Sequence, residues 1–399
     1  MPASSYIDRP VSGLFFCADF AFCPRGSVLR ILLVGGEANL SAELLEYVAD
    51  LGDEWEVQSV PDGSAAIVAV SSATIDAIIV APVLPDLAPA TLLGQIRTLR
   101  PETIRIALID GDNNQRVPSA RIIGVAHRFL PLPLAPEVLL EALTSLEELR
   151  ELLDSPHLRQ TIGRIEKLPS PPHLYISLTH ALEEDEESDS AEIAKLIAAD
   201  PAIAAKVLQL SNSAFFNSGR AISDLRGAVT RLGMATLRDL VLASEVFALP
   251  GMSGPDRNAL QSRALMASRL AAKMLPASSA ELGSTAALLA DIGLLLPGVR
   301  DERQAAEADD PRPGHAEAGA YLMGLWGLPM PIIEAVAFQL QPGRSNVRSF
   351  WVAGAVHVAT ALAAGTAVDE QYLANVGVLP KLEQWRAMAD ELMGVSLEA

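Results

Sequence analysis

The sequence predicts a two-domain protein, a doubly wound α/β unit followed by an all-α unit, on three observations. Between Leu29 and Leu153, short uninterrupted apolar runs alternate with stretches of helical periodicity, as buried parallel strands alternate with crossover helices. Beyond about Gln160 the short runs disappear and only the helical period remains. A length of 399 residues, half of them apolar, is enough for two or three cores.

The first unit reads in order. Leu29–Gly36 (LRILLVGG) is a strand that ends in glycines. Asn39–Leu51 follows as a helix, with Leu44, Leu45, Val48 and Leu51 on one face. Trp55–Val60 reads as a strand and Ser64–Ser71 as a helix. Asp76–Val80 (DAIIV) is a strand and Thr91–Leu99 a helix; Arg105–Ile109 (RIALI) is a strand, with a short helix at Ser119–Val125. Arg128–Leu130 gives a last short strand and Pro136–Leu153 a last helix. Strands alternating with helices in this way imply a parallel sheet. Residues 1–27 show no periodicity and are expected to be a disordered extension, one that a natural start at Val28 would omit.

In the second unit, Ala191–Ala199 precedes Asp200-Pro201, a capping carboxylate with proline at the first helical position. The helix so started carries Ile203, Val207, Leu208 and Leu210. Further helices are expected at Leu225–Leu232, Ala235–Phe247, Arg257–Met274, Ser284–Leu296, His315–Trp326, Pro331–Leu340 and Trp351–Ala363. The acidic run Glu183–Asp189 reads as a solvated connector, with an electrostatic docking patch as the alternative.

Lys and Arg number 30 against 49 Asp and Glu, a net charge of −19. That balance argues against nucleic-acid binding, which needs clustered cations along the phosphate backbone. The two cysteines, Cys17 and Cys23, make neither a disulfide framework nor a zinc site, and fit a reducing compartment. Gly13–Cys23 is apolar, but Asp19 interrupts it and no basic segment precedes it, so it is a poor signal peptide. Trp351–Val368 is uncharged over nearly a membrane-spanning length. It is poor in Leu, Ile and Phe, holds His357, and is broken by Gly354 and Gly365; it reads as a buried helix. The expectation is a cytoplasmic protein with no membrane segment and no cofactor.

Residues 28–148 resemble a response-regulator receiver domain, a flavodoxin-like fold. The third strand runs into Ala81-Pro82-Val83-Leu84-Pro85-Asp86, and the fifth into Leu130-Pro131-Leu132-Pro133, where the family has a Lys-Pro pair. Receiver chemistry uses two acidic residues to hold Mg²⁺, an aspartate that takes the phosphoryl group, a Ser/Thr and a Lys. The positions that match those residues hold Gly35 and Gly36, Ala81, Ile109 and Leu132. Asp86 lies past the strand end, out of the acceptor position. The resemblance therefore implies a pseudo-receiver that takes no phosphoryl group.

Residues 149–160 read as a linker helix. From 161 to 399, with a helical tail, the chain resembles an HDOD domain, the non-hydrolytic relative of the HD and HD-GYP phosphodiesterases. The resemblance is carried by Leu168-Pro169-Ser170, Ile197–Phe216 (IAADPAIAAKVLQLSNSAFF), Ala228–Gly233 and Leu288–Gly293 (LLADIG). His315 with Glu317 and Gly319, Trp326-Gly327-Leu328-Pro329 and Val356-His357-Val358-Ala359 complete it, in the family's order. HD enzymes hold metal ions with several His and Asp ligands. Here the matching positions hold Arg263, Ala290, Gln339, Leu340 and Thr360, and only Asp291 of the His-Asp pair is kept. One carboxylate does not assemble a divalent site, and no metal and no catalytic residue is expected.

What is left is a vestigial ligand pocket of Arg263, Asp291 and His315. The bland roles are Asp291 as a buried acceptor or ion-pair partner of Arg263, His315 packed at a helix start, and His357 as a satisfied core histidine. Asn212-Ser213 read as a turn brace, and Trp326–Pro329 as a helix terminus that packs an aromatic. The leading reading is a non-enzymatic bacterial signalling protein acting through protein contacts. Its implied partners are histidine kinases or cyclic-di-GMP turnover proteins, with a homodimer through the last receiver helix. A nucleotide or cyclic-dinucleotide sensor is the alternative, since arginine in a metal ligand's place pairs with phosphate. An unorthodox metal phosphodiesterase is the remote one.

Overall fold

The computed structural model describes residues 29–35, 55–110, 120–132, 134–153, 155–165, 190–212, 222–242, 255–304, 310–345 and 349–397. The N-terminal extension, Gly36, the helix expected at 39–51, the acidic connector, Leu168-Pro169-Ser170 and Ser213 lie outside them.

Five parallel strands form one sheet: β1 (Leu29–Val34), β2 (Trp55–Val60), β3 (Ala77–Val80), β4 (Ile104–Asp110) and β5 (Arg128–Leu132). Their spatial order is β2-β1-β3-β4-β5, the flavodoxin-like order. The register pairs Val34 with Val80, Val80 with Ala107 and Leu108 with Leu130, so the strand ends line up along one rim. Every residue of β3 is buried, which is why these strands read as continuous apolar runs rather than alternating ones. The crossovers include helices α1 (Gly63–Ser72), α2 (Pro89–Leu99) and α3 (Ala120–Val125), and α4 (Pro136–Leu152) follows β5. In α4, Leu139, Ala142, Leu143, Leu146 and Leu149 form the buried stripe. Its Arg150 pairs with Asp76 at 2.6 Å, and Asp76 also accepts the Arg30 amide, which ties helix, loop and edge of β1 together.

The expected linker helix at 149–160 is not a separate element. It comprises the last turn of α4 and the start of α5 (Pro156–Gly163), which Ser155 caps. Pro156 disfavours helix at the residue before it and so ends the first helix. Leu149, Leu153 and Leu158 are all buried, so the segment is packed rather than a free tether.

The second unit is helical throughout the described residues. It comprises α6 (Ser190–Ala198), α7 (Pro201–Ser211), α8 (Leu225–Leu242), α9 (Pro255–Met274), α10 (Ala277–Leu289), α11 (His315–Leu325), α12 (Met330–Ala337), α13 (Val352–Ala364), α14 (Glu370–Asn375) and α15 (Leu382–Leu397). The Asp200 carboxylate caps α7 by accepting the amides of Ala202 and Ile203, as its position before Pro201 implies. Helix α8 breaks at Gly233, whose φ of 74° separates the two helical stretches read from the sequence. Trp351–Val368 is occupied by α13 and its C-terminal turn, and no described helix is long and apolar enough to cross a membrane.

One apolar core runs without a break from β1 to α15. The contact between the units is close. A Cβ on Gly163, at the end of α5, would lie 1.7 Å from the Pro101 carbonyl oxygen, so only glycine fits there. Within this contact lie four buried basic side chains: Arg105, His127, Arg128 and Lys206. Carbonyls at helix ends supply much of the negative charge that faces them. Arg105 donates to the oxygens of Val125 and Gly163, at the ends of α3 and α5. Arg128 donates to Gly324 and Leu325 at the end of α11. Lys206 lies 4.7 Å above the Trp326 ring and donates to Gln209, whose amide donates to the His127 carbonyl. Burial brings the Lys206 ammonium down to about 8 and the Arg128 guanidinium to about 10.

Candidate functional site

Four of the five positions expected to replace receiver residues are described, and at the strand rim Gly35 closes against Ala81. Gly35 adopts φ 118°, and a Cβ there would fall 2.4 Å from the Ala81 Cβ. Ala81 is 1% exposed and its amide donates to the Val34 carbonyl, extending β3's pairing. Ile109 is buried and paired with Pro131, and Leu132 closes the register opposite Asp110. Asp86 is occupied elsewhere. Its carboxylate accepts the Ser64 hydroxyl at 2.7 Å and the amides of Gly63 and Ser64, capping α1 from the neighbouring loop. Those bonds, the Ser64 hydroxyl foremost, hold it down to about 2.

The second centre lies where α10 meets α11. Asp291 follows the end of α10 and opens the 3-10 turn Ile292–Leu295; His315 is the first residue of α11 and fully buried. The segment Arg300–Gln304 crosses between them. The guanidinium of Arg303 pairs with Asp291 through Nη2, lies 3.0 Å from His315 Nε2 and reaches Asp301 through Nε at 3.4 Å. His315 Nδ1 accepts the Glu302 amide at 3.2 Å, and Nε2 is the ring nitrogen that faces Arg303. Glu302 in turn accepts the Ala316 amide, capping α11, whose Gly314 offers no side chain for the purpose.

Burial pushes the His315 imidazole down to about 4, against the pull of Asp291. Burial also opposes the charge on Arg303, but the Asp291 and Asp301 carboxylates hold its guanidinium above the ordinary value. The arrangement is a buried carboxylate neutralised by the chain's own cation. Among the described residues, no group of three or more His, Cys, Asp or Glu side chains is placed to hold a metal ion.

The pocket expected from Arg263, Asp291 and His315 is corrected in one member. Asp291 and His315 meet, but the arginine between them is Arg303. Arg263 lies on α9 with its Nε buried and unpartnered, and no ion pair joins it to Asp291 among the described residues. Arg303 sits in a connecting segment without a motif, so no periodicity or spacing marked it.

Of the other positions expected to replace HD ligands, Ala290, Gln339 and Thr360 lie with His357 along one polar seam. Gln339 donates to the Ala290 carbonyl at 2.5 Å, and its own carbonyl faces His357 Nδ1 at 2.7 Å. His357 Nε2 accepts the Asp369 amide at 2.8 Å, so the ring carries its proton on Nδ1 and is a satisfied core histidine. Thr360 turns back to the Val356 carbonyl of its own helix, and Leu340 is half-buried after α12. Asn212 braces the turn as expected, exchanging bonds with both backbone groups of Ile222, and Trp326 ends α11 as a buried aromatic.

Residues 168–342 match the family model of the HDOD domain, so the C-terminal region carries an HDOD domain. An uncharacterised protein of Treponema pallidum is 26% identical over 200 residues; the match covers 44% of this chain and only 38% of that protein. Among solved structures, the MmoQ response regulator of Methylococcus capsulatus is 20% identical, with a TM-score of 0.41 over 54% of this chain and 97% of that one. A signal receiver domain of an HD domain-containing protein from Pseudomonas fluorescens is 27% identical, with a TM-score of 0.27 over 33% and 95%. An HDOD domain protein from Geobacter sulfurreducens is 20% identical, with a TM-score of 0.28 over 65% and 96%. The five-stranded parallel sheet of the α/β unit has the flavodoxin-like strand order.

Proposed function

We propose that this chain, an HDOD domain behind a receiver-type unit, is a non-enzymatic signal-transduction protein of the cytoplasm that acts through protein–protein contacts. One observation carries the reading: the Arg303 guanidinium lies between Asp291, His315 and Asp301, where hydrolysis would require a divalent ion. The closed Gly35–Ala81 contact supports the same reading for the α/β unit, which has no side chain at the acceptor position to carry a phosphoryl group.

The partners we propose are signalling proteins, histidine kinases or cyclic-di-GMP turnover proteins. The outer face of α4 presents Glu137, Glu141, Glu148 and Glu151, while Leu149 on its inner face is packed against Gly324. Self-pairing of α4 would juxtapose like charges, so this face suits a basic partner better than a second copy. The experiment is affinity capture with the full chain from its native cells. Recovery of defined signalling proteins, weakened when Glu141 and Glu148 are changed to Lys, is the expected result; an empty capture with both units intact refutes the proposal.

The sensor reading draws on a separate observation, the buried, unpartnered Nε of Arg263. Calorimetry with cyclic dinucleotides and guanosine nucleotides tests it, and heat abolished by Arg263→Ala is the result in its favour.

A further inference from the structure

Helix α11 is clamped at both ends by groups distant in sequence, and the two clamps belong to different units. At its start, the His315 amide donates to the Arg300 carbonyl at 3.0 Å and the Ala316 amide to Glu302 at 3.2 Å. His315 Nδ1 accepts the Glu302 amide, its Nε2 lies 3.0 Å from Arg303, and a Cβ on Gly293 would lie 2.0 Å from the His315 carbonyl oxygen. At its end, the Arg128 guanidinium donates to the Gly324 oxygen at 2.6 Å and the Leu325 oxygen at 3.0 Å. The same guanidinium donates to the Ala142 carbonyl at 2.9 Å and the Ser145 hydroxyl on α4. Gly324 packs against Leu149 of α4, where a Cβ would come within 2.3 Å of a leucine methyl.

Between the clamps, every residue of α11 except Glu317 is buried. An eleven-residue helix spans about 16 Å at 1.5 Å per residue. A close-packed helix with no slack at either end does not slide without disturbing both ends, because packed cores are not continuously deformable.

We propose that α11 is a coupling element that fixes the Asp291–Arg303–His315 centre to the β5–α4 edge of the α/β unit, with Arg128 as the positioning residue. A displacement of that edge, such as a partner docking there would cause, is felt at the centre, and a change at the centre is felt at the edge. The inference does not depend on the identity of any partner or on whether the chain acts as a scaffold.

Amide hydrogen exchange on the full chain tests it. Arg128→Lys keeps the charge but loses the fork that spans α4 and α11. The expected result is at least tenfold faster exchange at the His315 and Ala316 amides, with α13 amides at wild-type rates. A shifted ¹⁵N signal from the His315 imidazole should accompany it. Arg150→Lys, which weakens α4's bond to Asp76 without touching α11, should leave those amides unchanged. The reciprocal variant, Arg303→Gln, should speed exchange of the Gly327 and Leu328 amides, which bond back to the end of α11. The proposal is overturned if each variant alters only its own end of the helix, or if exchange rises uniformly along the chain. If Arg128→Lys does not fold, Arg303→Gln alone decides between these outcomes.

Discussion

At the scale of single residues, the decisive feature is the internal ion pair of Arg303 and Asp291. The side chains of Arg303 and Asp291 are 11% and 8% exposed, so solvent screens the pair little. Removing the cation leaves Asp291 buried and uncompensated. Arg303→Met is expected to lower stability by about 3–5 kcal/mol, read as a shift in the urea midpoint, while Asp291→Asn alone should cost less because an amide still accepts a hydrogen bond. Buried histidines set the pH dependence. The imidazoles of His127, His315 and His357 are all lowered by burial, so the folded chain binds fewer protons than the unfolded chain below about 6.5. Their contribution is full above that value and is lost as pH falls towards the folded values, for His315 about 4. Urea midpoints should therefore fall between pH 7 and pH 5, by up to about 1.4 kcal/mol per pH unit for each histidine, and His315→Gln should flatten that slope. An unchanged slope in the variant would place the titration elsewhere.

At the scale of elements, the sheet and most helices were legible because their signals are local. β1, β3 and β4 are buried on both faces and so are written as apolar runs, and Asp200-Pro201 marks α7 through its own cap geometry. Gly35, Ala81, Ala290 and Gln339 were singled out by what the resembled families have at the matching positions, but their contacts, Gly35 against Ala81 and Gln339 on the Ala290 carbonyl, had no signal in the sequence. Arg303 was not singled out. Its role comes from the loop 300–304 folding over α11, a non-local event with no periodicity of its own. The cations between the units were equally hidden, because carbonyls at helix ends have no residue signature. Gly163 belongs to this class. Gly163→Ala would drive a methyl group into the Pro101 carbonyl, and a loss of about 1–3 kcal/mol or more is expected in thermal unfolding. Gly343→Ala, where a Cβ meets nothing within 4 Å, serves as the control.

For the whole molecule, the shared core and the buried basic contact make one cooperative body of two units. Unfolding of the full chain should be a single calorimetric transition, and two separated transitions would show that the contact contributes little. Among the described residues, exposed acid includes Glu137, Glu141, Glu148 and Glu151 on the outer face of α4. It does not assemble a metal site among the described residues. The claim on which this view turns is that the chain's own guanidinium serves as the resident cation of the HD-type centre. Metal analysis of the purified full chain after dialysis against Mn²⁺ or Zn²⁺ addresses it most directly. Substoichiometric metal, unchanged in Asp291→Asn, is the expected result; one divalent ion per chain that disappears in Asp291→Asn would contradict it.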